Sequence, residues 1–208
     1  MSVEIVVHRG FKNILYDNSM VGILAAIFRN KFCEFDILWM DGRWKVCHDF
    51  PSVSVYHSNL SDLLSLLKQY RHLVKHTIII DIKWDFVWNR NDLLSTAILE
   101  LKQELLGFED FPFWIQTPHP SVLEAFVAHC GTETWKLGMI VATMADFTTY
   151  CGFLHYAMIA LSYFSMEEVI SMSKQCLLFG YTCHNTKELS HYKHLFPYLK
   201  GIVCDVSL

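Results

Sequence analysis

Residues 34–49 read EFDILWMDGRWKVCHD. Glu34 and Asp36 are two apart, so on a strand both carboxylates leave the same face. Asp41-Gly42, set between two apolar, β-prone runs, predicts a tight hairpin turn. The returning arm, Trp44 to Cys47, delivers His48 near the carboxylates. Two acids beside an imidazole on a rigid hairpin make a poor core, but a good site for a hard cation and for proton transfer.

Outward from this hairpin the chain alternates strands and helices. Strands are predicted at Glu4–Val7, Phe32–Leu38, Thr77–Lys83, Phe111–Thr117, Leu137–Ala142, Ala157–Leu161, Cys176–Thr182 and Gly201–Asp205. Thr77–Lys83 is nearly all apolar, the composition of a strand buried on both faces. Asn18 or Ser19 can cap a helix through about Asn30, with Met20, Ile23, Leu24 and Ile27 on one face. Asn59 or Ser61 can cap the next, which carries Leu63, Leu64, Leu66 and Leu67. Further helices are expected at Asp92–Leu106, Ser121–His129, Met144–Cys151, Met166–Met172 and Lys187–His194. Strict alternation implies a parallel sheet. Eight units close most simply into a (β/α)8 TIM barrel, and an open doubly wound sheet is the alternative. The eighth helix is missing, so the last helical position is truncated.

At 208 residues the chain is long enough for one substantial core and is expected to be one domain over 1–208. With 52% apolar and 18% charged residues it is a core-rich globular chain. A net charge of −4 and the lack of a Lys/Arg-rich run give no invitation to nucleic acid. Cysteines at 33, 47, 130, 151, 176, 183 and 204 are odd in number and form no CxxC pair, which fits free thiols in a reducing compartment. The N-terminus carries an acid and no long apolar run, so no secretory signal is expected and the setting is intracellular, cytoplasmic. Phe147–Met166 has no Asp, Glu, Lys or Arg and is long enough to span a bilayer. Its serines, threonines, tyrosines and His155 fit a buried helix and strand instead.

In a barrel the chemistry sits at the carboxyl ends of the strands. His8-Arg9 ends the first strand, Glu34 and Asp36 lie late on the second, and Asp81 and Lys83 share a face at the end of the third. Polar residues interrupting apolar strands at one end are informative because burying them unpaired is costly. The residue types suit phosphodiester cleavage. Three carboxylates hold a divalent cation, Mg²⁺ or Ca²⁺, which prefers oxygen ligands. Arg9 and Lys83 bind phosphate oxygens. Two imidazoles divide proton removal and proton delivery. Asp49 and Asp205 are further polar strand-end candidates, while the histidines at 57, 72, 76, 119, 129, 155, 184, 191 and 194 are assigned to solvent or helix ends.

The ordered set HRG at 8–10, EFD at 34–36, DG at 41–42, HD at 48–49 and DIK at 81–83 resembles the glycerophosphodiester phosphodiesterase family. That family carries HRG, ENT, ExD, DG, HD and ExK on a (β/α)8 barrel. Asp17-Asn18-Ser19 resembles its ENT, Tyr181-Thr182 its WT, and Gly201–Asp205 its GIITD. The match is dense over residues 1–85 and loose beyond. The resemblance implies His8 and His48 as the acid/base pair, and Glu34, Asp36 and Asp81 as ligands of one divalent cation. It puts Arg9 and Lys83 on the phosphate and implies hydrolysis of a glycerophosphodiester to glycerol 3-phosphate and an alcohol. Asp81 stands where most members have Glu and the sphingomyelinase D-like branch has Asp, which admits a lysophospholipid headgroup and a phosphotransferase reaction. A third expectation, a catalytically degenerate phosphate-binding barrel, is motivated by Asp81 and the truncated end. The 32 residues 49–80 leave no room for the capping insertion of many members. Residues 51–59 and 84–91 would then cover the mouth, the latter offering an apolar wall.

Overall fold

A computed structural model describes residues 3–11, 16–29, 31–49, 57–84 and 91–205. Nine strands belong to one sheet: β1 (Glu4–His8), β2 (Phe32–Met40), β3 (Arg43–Val46), β4 (Ile78–Lys83), β5 (Phe113–Thr117), β6 (Lys136–Val141), β7 (Tyr156–Ala160), β8 (Leu177–Cys183) and β9 (Gly201–Cys204). Among the described residues seven α-helices connect them: α1 (Met20–Phe28), α2 (Leu60–Gln69), α3 (Leu94–Leu105), α4 (Pro120–Cys130), α5 (Met144–Tyr150), α6 (Met166–Ser173) and α7 (Thr186–His191). The strand order is β1-β9-β8-β7-β6-β5-β4-β2, with β2 pairing back to β1, so eight parallel strands close into a barrel. The expected TIM barrel is therefore formed and the open sheet is excluded. β3 is the hairpin arm, antiparallel to the extended end of β2.

Alternation along each strand divides the core in two. Cys33, Phe35, Ile37, Ile78, Ile80, Ile82 and Ile115 point outward and pack under the helices. Val6, Ile79, Trp114, Tyr156, Met158, Phe179 and Val203 fill the barrel itself. At about 1.5–3 kcal/mol per fully buried large apolar side chain, the outer layer is the main source of stability.

The hairpin forms as its sequence dictates. Asp41 (φ 51°) and Gly42 (φ 72°) both take the left-handed region that a two-residue type I′ turn requires. Trp39 then faces Trp44, with ring centroids 5.4 Å apart, and Trp44 Nε1 donates to the Ala97 carbonyl of α3 at 2.9 Å. This anchors the arm that carries His48.

Of the two candidate caps of α1, Ser19 does the work, its Oγ accepting the Gly22 N–H at 3.2 Å. Asn59 occupies the cap position of α2, but its side chain accepts from Lys45 Nζ at 2.6 Å and donates to Asp62 at 2.9 Å instead. The expected helix at 92–106 begins as a 3-10 turn over Asn91–Leu93, and the one at 187–194 ends as a 3-10 run over Tyr192–Tyr198. Pro197 inside that run opposes a longer α-helix. Phe147–Met166 divides into the end of α5, β7 and a turn, and no helix among the described residues is long and apolar enough to cross a membrane. Between β3 and β4 the described residues hold only α2 and a 3-10 turn, with no capping insertion. Residues 85–90 of the apolar wall expected at 84–91, and residues 51–56 of the other mouth segment, lie outside the described residues. No helix follows β9 among the described residues.

Candidate active site

The inward-facing positions change character toward the carboxyl ends of the strands. Val6 is followed two residues on by His8, Phe32 by Glu34 and Asp36, and Ile79 by Asp81 and Lys83. Trp114 is followed by Gln116 and Val203 by Asp205. Period two thus carries each strand from barrel filler to functional group. Register completes the convergence, since His8 pairs with Glu34 and Asp36 with Asp81 across neighbouring strands. His8, Arg9, Glu34, Asp36, His48, Asp81 and Lys83 all line one cavity of about 130 Å³ at this mouth. Every residue singled out in the sequence for catalysis, metal or phosphate is brought to one place.

The turn after β1 sets two of these groups. Arg9 (φ 55°) and Gly10 (φ 75°) are both left-handed, and a Cβ on Gly10 would lie 2.6 Å from the Ile23 nitrogen, so only glycine lets the chain pass α1 there. The Arg9 N–H then donates to Glu34 Oε2 at 3.1 Å. Its side chain returns to the site, Nε lying 2.9 Å from Asp36 Oδ2 and Nη1 3.6 Å from Asp17 Oδ2. Lys83 Nζ lies 2.6 Å from Asp81 Oδ2 and 3.3 Å from Asp36 Oδ1.

Asn18 holds Asp36 from both ends. Its Nδ2 donates to Asp36 Oδ2 at 2.8 Å and its Oδ1 accepts the Asp36 N–H at 3.0 Å. Asn18 is buried and sits at φ 57°, a conformation Asn tolerates better than most residues.

Each imidazole has a carboxylate on Nδ1. His8 Nδ1 lies 2.6 Å from Asp205 Oδ1, and His48 Nδ1 lies 2.7 Å from Asp49 Oδ1. The ionised Asp205 only accepts, so the His8 Nδ1 carries the proton and its Nε2 is the basic atom, whereas His48 lies close to Asp49 without hydrogen-bond geometry at Nδ1. His8 Nε2 is 3.9 Å from Glu34 Oε2. Asp205 is shared, its Oδ2 lying 2.5 Å from Nδ1 of His184.

The acids are not alike electrostatically. Burial, reinforced by the negative charge of Asp36 and Asp81, raises Glu34 well above the ordinary carboxylate range. Burial also raises Asp81, against the pull of Lys83. For Asp36 burial opposes ionisation, yet Lys83 and Arg9 outweigh it and hold the group below its usual value. Burial disfavours the Lys83 charge too, but Asp81 and Asp36 more than offset that and raise it.

These residues fit a hard divalent cation. Glu34, Asp36 and Asp81 each present an oxygen within 4.8 Å of the others, and all three are buried. Asp81 Oδ1 has no hydrogen-bond partner among the described residues. Two cations face three buried carboxylates, so without a further positive group burial drives Glu34 toward its neutral form, and a bound cation would supply the missing charge. An all-oxygen donor set is the kind Mg²⁺ and Ca²⁺ take.

Reading the sequence alone missed four participants. Asn18 was assigned to a helix cap, Gln116 was given no role, Asp205 was only a candidate, and His184 was placed in solvent. Gln116 and Asp205 share the inward parity of their strands, which was the available signal. His184 is exposed, as expected, and in addition its Nδ1 is held by Asp205. No local pattern marks it.

No protein-family model matches the sequence, and no curated protein matches it. Solved structures do match. One is a phosphodiesterase from Oleispira antarctica in complex with the product sn-glycerol-3-phosphate, at 14% identity and TM-score 0.77, covering 97% of this chain and 92% of that one. Another is a glycerophosphodiester phosphodiesterase from Parabacteroides distasonis, at 13% identity and TM-score 0.78, covering 98% and 92%. A third, from Agrobacterium tumefaciens, is also a glycerophosphodiester phosphodiesterase, at 12% identity and TM-score 0.66, covering 98% and 95%. At these identities the likeness establishes architecture: the chain is a (β/α)8 barrel of the kind on which these phosphodiesterases are built.

Proposed function

We propose that the chain, residues 1–208 as one catalytic domain, is a metal-dependent phosphoric diester hydrolase of the glycerophosphodiester phosphodiesterase family. Its reaction is cleavage of a glycerophosphodiester to glycerol 3-phosphate and an alcohol. The observation that carries this reading is the meeting of two imidazoles, three buried carboxylates, Arg9 and Lys83 in one cavity. The product bound by the Oleispira antarctica phosphodiesterase supports the substrate class.

Glu34, Asp36 and Asp81 would hold the cation, Mg²⁺ or Ca²⁺, which when bound polarises a phosphoryl oxygen and neutralises charge that develops there. Arg9 and Lys83 orient the phosphate by hydrogen bonds to its remaining oxygens. One of His8 and His48 takes the nucleophile's proton on Nε2, and the other protonates the departing alkoxide. Asp205 holds the His8 ring in the required tautomer, and Asp205 and Asp49 each stabilise the charged form of the ring beside them. The substrate is a small diester or a lysophospholipid headgroup, with no role for nucleic acid. The seven cysteines are free, which supports placing the protein inside the cell.

The test is turnover of glycerophosphodiesters by protein stripped with EDTA, then reloaded with Mg²⁺ or Ca²⁺. Loss and recovery of glycerol 3-phosphate release are expected, and full activity in the stripped protein would overturn the metal's role. Asp81 favours one second reading, action on lysophosphatidylcholine or sphingomyelin in the manner of the sphingomyelinase D-like branch. A cyclic phosphate product would identify attack by a substrate hydroxyl and select it. Failure to bind either metal in the presence of phosphate would select the degenerate barrel.

A further inference from the structure

We propose that His184 is a positioning residue for the reaction: its ring grips one oxygen of Asp205 and so keeps the other oxygen on His8. This rests on the phosphodiesterase reading above and extends its proton-transfer machinery to a third imidazole.

The backbone sets the pair side by side. Cys183 and Cys204 are register partners on β8 and β9, and both are buried in the layer under the helices. Alternation then turns the next residues, His184 and Asp205, to the other side. The Asp205 N–H donates to the Cys183 carbonyl at 2.9 Å, tying the two strand ends together directly behind these side chains. His184 is also tied to the first turn of α7, its N–H donating to Glu188 Oε2 at 2.8 Å. Glu188 Oε1 in turn accepts from Asn185 Nδ2 at 2.9 Å.

A carboxylate gripped by one oxygen can still swing about its Cβ–Cγ bond. Asp205 is gripped by both, Oδ1 lying 2.6 Å from His8 Nδ1 and Oδ2 2.5 Å from His184 Nδ1. Since the carboxylate only accepts, the His184 proton is on Nδ1 as well. The side chain of His184 is 63% exposed, against 17% for Asp205 and 15% for His8. Packing therefore does not hold the outer ring where it is; its bond to Asp205 does. His184 does not line the cavity that contains His8, Arg9 and the three carboxylates. Its link to the reacting atoms runs through Asp205, which makes it a positioning residue and not a catalytic one. Hydrogen-bond partners that orient a metal-bound imidazole matter by about ten- to a hundredfold, and a hold one step further out belongs at the lower end.

The experiment is a double-mutant cycle on kcat with a purified glycerophosphodiester. His184→Leu should lower kcat by about tenfold with KM little changed. His184→Asn, whose Nδ2 can stand where Nδ1 stood, should recover most of that loss. His184→Leu combined with Asp205→Asn should be no slower than Asp205→Asn alone, because the first change acts through the second residue. Wild-type kcat in His184→Leu, a loss confined to KM, no recovery in His184→Asn, or losses that multiply in the double variant each overturn the proposal. His184 is exposed, so these variants do not threaten folding, and a thermal melt checks it. Solvent exchange of the His8 Nδ1 proton, followed by NMR, separates the two readings. Faster exchange in His184→Leu with no diester cleaved by any variant would overturn the hydrolase and leave the grip on Asp205. Cleavage by the unaltered chain with exchange unmoved in His184→Leu would overturn the grip alone.

Discussion

His8 Nδ1 meets Asp205 Oδ1 at 2.6 Å across 197 residues of sequence. The contact joins the first and last strands of the barrel at the mouth and fixes which ring nitrogen faces the cavity. His8→Ala or His48→Ala should lower kcat by about 10²–10⁴-fold, the usual size of acid–base assistance. Asp205→Asn should lower kcat less than His8→Ala, with little change in KM, because it removes orientation and not the base. Steady-state kinetics on a purified diester checks both, and a loss confined to KM would refute the positioning role.

Asn18 grips Asp36 at its carboxylate and at its backbone, so Asn18→Ala should release the carboxylate without removing it. Partners that orient a metal ligand typically matter by ten- to a hundredfold in affinity. The metal concentration giving half-maximal activity should therefore rise by about that factor, and saturating metal should restore most of the rate. A metal titration of activity, set beside a thermal melt, tells lost coordination from lost folding.

Glu104 gives a pH prediction far from the mouth. Burial, with Glu100 and Asp62 nearby, pushes its carboxyl from 4.5 up to about 7. The folded state then holds this proton more tightly than the unfolded chain. The group's contribution is fully favourable below about 4.5 and is lost as pH rises through about 7. Glu104→Gln should raise the Tm at about pH 8, and the gain should vanish near pH 4. Equal gains at both pH values would show that the charge is not the cause.

Trp44 is fully buried, and its indole donates to Ala97 of α3. Trp44→Ala should cost about 3–5 kcal/mol of folding free energy. Trp44→Phe, which keeps a ring but loses the donor, should cost about 1 kcal/mol for the bond plus a smaller packing loss. Denaturant unfolding measures both. If Trp44→Phe also slows turnover, the arm's anchorage sets the position of His48.

The barrel and most of its mouth were legible because two periods were. Apolar runs spaced by helical segments imply the parallel ring, and residues two apart on a strand must share a face, which placed Glu34 with Asp36 and Asp81 with Lys83. The same parity leads from Val203 to Asp205, yet a lone acid after four apolar residues has no second polar residue to confirm its face. Asn18 illustrates a different difficulty. An Asn before a helix has a strong local reading as a cap, and only the neighbouring β2 shows that its side chain is used elsewhere. His184 was beyond reach, since it is one histidine among eleven and its partner lies just past the end of β9.

Because β1 hydrogen-bonds to β9, the seam of the ring joins the first and last strands of the barrel, far apart in sequence. During synthesis the opening strand must wait, one edge bare, until Gly201–Cys204 has left the ribosome. The His8–Asp205 contact is delayed with it, so a nascent chain lacking that segment would hold its acidic trio but not the carboxylate that fixes the His8 ring.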